Sequence, residues 1–163
     1  MSIERVRAEF EKLGIAERML EFPVSSATVE LAAKALGTEE ARIAKTLSFH
    51  DGDGCMLIVT AGDTKIDNSK FKARFAMKAK MLSLEEALAM TGHAVGGVCP
   101  FALPEGVKVF LDVSMRRFTT VFPAVGSANS AIELTCDELE TYSGGEWVDA
   151  VSYTHLRAHE TEA

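Results

Sequence analysis

The chain lacks most of what a secreted, membrane-spanning or metal-built protein needs. No apolar stretch in its 163 residues approaches the ~20 required to cross a bilayer. Met1–Leu13 is a charged amphipathic pattern, without the basic start and apolar middle of a signal peptide. The three cysteines, Cys55, Cys99 and Cys136, are far apart, with no CxxC pair and no histidine at ligand spacing, so neither a disulfide framework nor a metal site is expected. Positive charge is also short: 17 Lys and Arg against 24 Asp and Glu leave a formal charge of −7, which argues against coating DNA or RNA by bulk electrostatics. GxSxG elbows, P-loops, HExxH pairs and dinucleotide fingerprints are missing, as are internal repeats. These absences lead us to expect a soluble, cytoplasmic, single-core domain that uses no cofactor and any of whose RNA contacts are local.

The patterning that is present mixes helices with strands in hairpin-like succession, without regular βαβ alternation. Ile3, Val6, Phe10 and Leu13 recur at helical spacing and Gly14 stops the helix. Met19–Pro23 reads as a short strand. Ser25 and Ser26 precede a helix over Val29–Leu36 closed by Gly37, and Thr38 is placed to cap a further turn. From Ile43 to Phe49 the period becomes two, and the Gly/Asp turn at His50–Gly54 leads into Cys55–Ala61, predicting a hairpin. Asp67 caps a basic helix near Ser69–Phe75, Lys80–Leu82 suggests a strand, and Ser83 with Glu86 forms a capping box for a helix ending at Gly92. Val95–Leu103 is a loop. Val107–Val113, Thr119–Ala124 and Ala131–Leu134 read as strands, and Thr135 with Glu138 boxes a last helix. The expected fold is mixed α/β: a mixed, largely antiparallel sheet surrounded by helices.

One segment stands apart. Val151–Thr161, VSYTHLRAHET, agrees residue for residue with one reading frame of a transposon-type sequencing adaptor. We therefore expect residues 1–150 to form the domain and 151–163 to be an appended tail, without strand or helix pattern, that stands in place of the natural C-terminus. His155 and His159 then carry no functional weight.

Lys45 is the residue whose position asks for chemistry. It shares a strand face with Ile43, Leu47 and Phe49, and an ammonium in apolar surroundings either meets an anion or loses affinity for its proton. A stem that snorkels to water is the competing reading. Gly96-Gly97-Val98-Cys99-Pro100 can turn backbone N–H groups toward a ligand, and Gly126–Ser130 is a second small polar loop. Lys65, Lys70, Lys72, Arg74, Lys78 and Lys80 form a basic island, either a phosphate contact or a solvated helix face. Cys99 as a nucleophile would need a histidine that the sequence does not visibly bring near.

Taken in order, Ser26–Gly37, Arg42–Phe49, Ala61-Gly-Asp63 with Asp67 and Lys70, Gly96–Phe101, Phe110-Leu-Asp112 and Gly126–Leu139 resemble the YbaK/EbsC family of aminoacyl-tRNA deacylases, which includes the editing domain inserted in some prolyl-tRNA synthetases. The resemblance implies a trans-editing hydrolase that cleaves the ester of mischarged tRNA, with the tRNA acceptor end as its partner and a synthetase as a further one. It also implies that Lys45 is catalytic and that Gly96, Gly97, Val98, Cys99 and Pro100 position substrate, with Asp137 a weaker carry-over. Thr28 stands where some relatives carry a larger residue beside the amino-acid pocket, which leaves the amino acid open. In this reading Lys70, Lys72 and Arg74 contact tRNA, and catalysis leans on water and the ribose hydroxyl, with no metal. A non-catalytic module that binds the acceptor end is the alternative.

Overall fold

The computed structural model describes residues 2–23, 28–94 and 96–154. The described residues form five α-helices and ten strands. Helix α1 spans Ser2–Leu13, followed by β1 (Met19–Glu21) and α2 (Val29–Leu36), whose amino end is capped by the Thr28 hydroxyl accepting from the Leu31 N–H. The Ser25-Ser26 start expected for α2 lies outside the described residues. Strands β2 (Ile43–Asp51) and β3 (Gly54–Ala61) make the expected hairpin, closed by the Asp51–Gly54 pair. Then come β4 (Thr64–Ile66), α3 (Asn68–Phe75, capped by Asp67) and α4 (Leu84–Thr91, with the Ser83–Glu86 capping box). The chain continues through β5 (Lys108–Asp112), β6 (Thr120–Pro123), β7 (Ser130–Ile132) and β8 (Leu134–Thr135) to α5 (Cys136–Ser143), with the Thr135–Glu138 capping box. It ends in β9 (Glu146–Val148) and β10 (Val151–Tyr153).

The main sheet has the order β8-β6-β2-β3-β5-β9, and β1-β7 and β10-β4 form two small sheets. Of the five pairings in the main sheet two are antiparallel and three parallel, and both small sheets are antiparallel, so the sheet is mixed as expected. On one face, Ala44, Val59, Ala61, Val109 and Leu111 pack against Val6 and Phe10 of α1 and Leu139 of α5. On the other, Phe49, Met56, Ile58 and Phe110 pack against Phe71 of α3. Phe49, Met56, Ile58 and Phe71 are almost wholly buried, and each such side chain contributes roughly 1.5–3 kcal/mol.

Three local expectations are corrected. Thr38 caps nothing: the turn at Glu40–Arg42 has Glu39 at its cap position without a side-chain bond, and the Thr38 hydroxyl is buried without a partner among the described residues. Lys80–Leu82 contributes only a single bridge, Phe49 with Met81, because Ser83 starts α4 at once. Val151–Tyr153 is a strand: it pairs antiparallel with Thr64–Ile66, its Val151 carbonyl accepts from Lys70 Nζ (2.9 Å), and Thr154 N–H donates to Asp63 O (2.9 Å). A deletion starting at Val151 therefore removes a paired strand from the sheet, contrary to the expectation that this segment has no pattern.

Candidate active site

A cavity of about 350 Å³ lies against the outer edge of β2. Its position follows from a gap in strand pairing. Strand β6 pairs with β2 only at Ile43 and Ala44. The same edge is next met at Ser48, whose carbonyl accepts from Leu82 N–H (3.1 Å), and at His50, whose N–H donates to Lys80 O (2.8 Å). Backbone groups of alternate residues point to the same edge of a strand, so Thr46 presents its N–H and C=O to the gap. The Thr46 hydroxyl is also buried without a partner among the described residues. A ligand with one acceptor and one donor would satisfy groups that cost free energy when left unpaired.

Walls come from four parts of the chain. Helix α2 gives Thr28, Val29, Ala32 and Leu36; the segment 81–84 gives Met81 and Leu84; Gly96 and Val98 come from the glycine loop, and Ser127 and Ser130 from the second polar loop. Thr28, Lys45, Gly96 and Val98 thus line one cavity. Gly97, Cys99 and Pro100 lie behind it, buried. A Cβ on Gly97 would sit 2.7 Å from the carbonyl carbon of Gly126, so glycine is what lets the two loops touch. Asp137 is on the exposed first turn of α5, away from the cavity.

Lys45 lines the cavity, and its ammonium donates to the Thr64 carbonyl. Burial pulls its pKa below the ordinary lysine range, and the Asp63 carboxylate acts in the opposite direction. Asp63 is held by the Arg117 guanidinium through two bonds of 3.0 and 2.7 Å, so Lys45 feels a carboxylate already shared with another cation. The result is a half-buried ammonium with a single neutral acceptor among the described residues.

A histidine does lie beside Cys99. His93 Nε2 is 3.6 Å from the Cys99 sulfur, closer than the sequence suggested. It cannot serve as a base there, because the same Nε2–H donates to Phe101 O at 2.8 Å. Burial pushes the Cys99 thiol up to about 12, so it stays protonated and inert at neutral pH. Alkylation with iodoacetamide at pH 7 should leave Cys99 unlabelled in the native protein, and Cys99→Ala should change whatever activity the cavity supports by no more than about a factor of three. Rapid labelling at Cys99 with parallel loss of activity would contradict this.

The basic island is divided by its neighbours. Lys70 Nζ meets Asp149 Oδ1 (3.1 Å), and Arg74 meets Glu146 Oε2 (2.7 Å) while stacking over Phe75 and Phe110. Both tie α3 to the β9–β10 region. Lys72 and Lys78, with Asn68, Ser69 and Ala79, border a second hollow of about 360 Å³. Ala79 and Met81, only two residues apart, border the second hollow and the first cavity respectively. Among the described residues no three His, Cys, Asp or Glu side chains gather as a metal site would require, and no helix is long and apolar enough to span a membrane.

With this geometry in view, comparison with known proteins is informative. The aminoacyl-tRNA editing domain model matches residues 24–142, and the chain belongs to that family. It is 53% identical to YwhH of Bacillus subtilis (strain 168), a protein of uncharacterised function, over 91% of this chain and 96% of that one. It is 27% identical to a proline–tRNA ligase of Thermosipho africanus (strain TCF52B), covering 92% of this chain but only 27% of the ligase. Among solved structures, one described as a proposed trans-editing enzyme for prolyl tRNA synthetase superposes with a TM-score of 0.84 at 28% identity, over 93% of this chain and 97% of that one.

Proposed function

We propose that this protein is a trans-editing aminoacyl-tRNA deacylase that cleaves the ester bond of mischarged tRNA. The observation that carries the reading is the cavity at the β2 gap, where a half-buried ammonium, the stretch of β2 edge between its β6 pairing and its contact with Leu82, and two glycine-assisted loops converge. Its volume sits at the small end of the ~300–1,000 Å³ range of ligand pockets, which suits a terminal nucleoside carrying a small amino acid. Val29, Ala32, Leu36, Ile43 and Phe122 make much of the wall apolar and favour a side chain without charge.

An aminoacyl ester is already activated, so positioning and charge stabilisation suffice. Water adds to the ester carbonyl carbon, the bond to the ribose oxygen breaks, and that oxygen leaves as a hydroxyl after taking a proton. The products are a free amino acid and tRNA. Lys45 exchanges the Thr64 carbonyl for the developing oxyanion, a move its flexible stem permits. Thr46 offers backbone hydrogen bonds to the amino-acid moiety, and the Gly96–Val98 segment and Ser127 hold the ribose end. The cytoplasm is the compartment in which such a substrate is met.

Lys72 and Lys78 are the cations of the island best placed to meet tRNA phosphates, since Lys70 and Arg74 already hold carboxylates. Lys72→Glu with Lys78→Glu should weaken tRNA binding by about tenfold or more at low salt, flatten its salt dependence by about two phosphate contacts, and leave the single-turnover rate at saturation nearly unchanged. Unaltered binding would make this a solvated face.

The site assignment is tested with a non-hydrolysable amide analogue of 3′-aminoacyl adenosine. Its amide resonance shifts should concentrate at residues 45–48, 96–98 and 127. Shifts confined to other surfaces would remove the assignment.

A further inference from the structure

The mechanism above leaves the buried ring of His93 unused. His93 is fully buried at the start of the glycine loop. Its Nε2 contacts the Phe101 carbonyl, which can only accept, so Nε2 carries the proton and Nδ1 of the neutral ring is the acceptor. The Ser2 hydroxyl, at the first turn of α1, hydrogen-bonds to that Nδ1. Burial lowers the affinity of the ring for a second proton, the Phe101 bond acts the other way, and nearby Arg5 lowers it further.

These two bonds join three segments. Residues 93 and 101 flank the glycine loop, so the bond from His93 to Phe101 closes its neck across eight residues. Inside the neck, Gly97 N–H donates to Ala94 O (2.9 Å). Gly97 rests on the backbone of Gly126 and Ser127, and Gly126, at φ +110°, rests on the backbone of Ser2 and Ile3, where a Cβ would come within 2.7 Å of Ile3 Cα. The start of α1, the 126–130 loop and the glycine loop are therefore stacked backbone on backbone, and His93 ties the two ends of the stack. Arg5 adds an exposed bond to Gly92 O (2.8 Å). Gly96, Val98 and Ser127 are the cavity-lining members of the same stack.

We propose that His93 is a positioning residue that, chiefly by closing the neck of the Gly96–Pro100 loop through its bond to Phe101, keeps this loop and the 126–130 loop stacked on the first turn of α1, so that both loops present a fixed surface to the substrate. The proposal rests on the deacylase reading for its kinetic consequence alone; the locking itself is a property of the fold. Displacement of a positioning loop by about 1 Å is expected to cost on the order of 100-fold in rate.

Three substitutions separate the two bonds. His93→Leu keeps much of the volume and makes neither bond. His93→Gln places a donor near the Nε2 position and restores the Phe101 bond. His93→Asn places an acceptor near Nδ1 and restores only the contact with Ser2. Two quantities are measured on each variant, with folding checked by circular dichroism. The first is amide hydrogen exchange at Gly97 and Val98 relative to the β2–β3 ladder. The second is kcat and KM on a mischarged tRNA.

His93→Leu should raise exchange at Gly97 and Val98 by about tenfold or more without changing the ladder, and should lower kcat by about 10–100-fold while KM moves less than about threefold. His93→Gln should recover most of both losses, and His93→Asn little. Wild-type exchange and kcat in His93→Leu overturn the proposal. So does a Gln variant as impaired as Leu, which would make the ring a core filler only. Should the wild-type protein hydrolyse no mischarged tRNA, the deacylase reading fails, and the exchange comparison alone decides the locking role.

Discussion

Replacing Lys45 with alanine should lower the single-turnover rate of deacylation by about two orders of magnitude or more, the loss typical when one charge-stabilising donor leaves an active site. The fold should survive, because among the described residues the ammonium donates only to the Thr64 carbonyl and the Asp63 carboxylate keeps its two bonds to Arg117. Lys45→Arg separates position from charge: a planar fork cannot occupy the same compact point, so it should rescue little. A pH profile adds a second readout. Because burial lowers the pKa of Lys45, the ammonium form is lost at a lower pH than for an ordinary lysine, and a Lys45-dependent rate should decline there as pH rises, after subtraction of uncatalysed ester hydrolysis. A folded Lys45→Ala protein working at the wild-type rate would remove the residue from catalysis.

Asp112→Ala should destabilise the protein by about 2–5 kcal/mol, a large share of the stability of a domain of this size. Its carboxyl oxygens accept from Ser114 N–H (2.8 Å) and Ala150 N–H (2.8 Å), and Asp112, Ser114 and Ala150 are all buried. Alanine strands both amides away from water. The Ser114 hydroxyl accepts in turn from Ala61 N–H (3.3 Å), so the damage reaches the end of β3. Urea denaturation is the check: the midpoint should fall with an unchanged slope, and Asp112→Asn, which keeps one acceptor, should lie between. An unchanged midpoint in the alanine variant would show that the two amides find other partners.

What the sequence made legible was whatever local rules govern. Ser83 with Glu86 and Thr135 with Glu138 announce their capping boxes within four residues, and the hairpin at Asp51–Gly54 is marked by its turn. The change of period at Ile43 put Lys45 on the face of Leu47 and Phe49, which is where the β2–β3 register carries it, opposite Thr60. Strands β4, β9 and β10 were missed because each has three residues and exists only through a distant partner. The same reason explains the basic island: Lys70 and Arg74 meet Asp149 and Glu146, 79 and 72 residues further along, so their neutralisation leaves no local trace. The family resemblance placed Gly96–Pro100 together as a substrate loop. It could not show that Gly96 and Val98 face the cavity while Gly97 and Cys99 face the Gly126 loop and the core. Thr46 was passed over because its relevance comes from where β6 stops pairing, a fact of topology.

The proposed reaction is hydrolysis of an aminoacyl ester in the cavity beside β2. The direct measurement is single-turnover release of labelled amino acid from a panel of mischarged tRNAs, with enzyme in excess and tRNA binding followed in parallel. Enzyme-dependent release is expected from at least one tRNA bearing a small uncharged amino acid, with release from bulky or charged esters much slower. Tight binding of the acceptor end with no release from any member of the panel would contradict it and leave a binding module in its place.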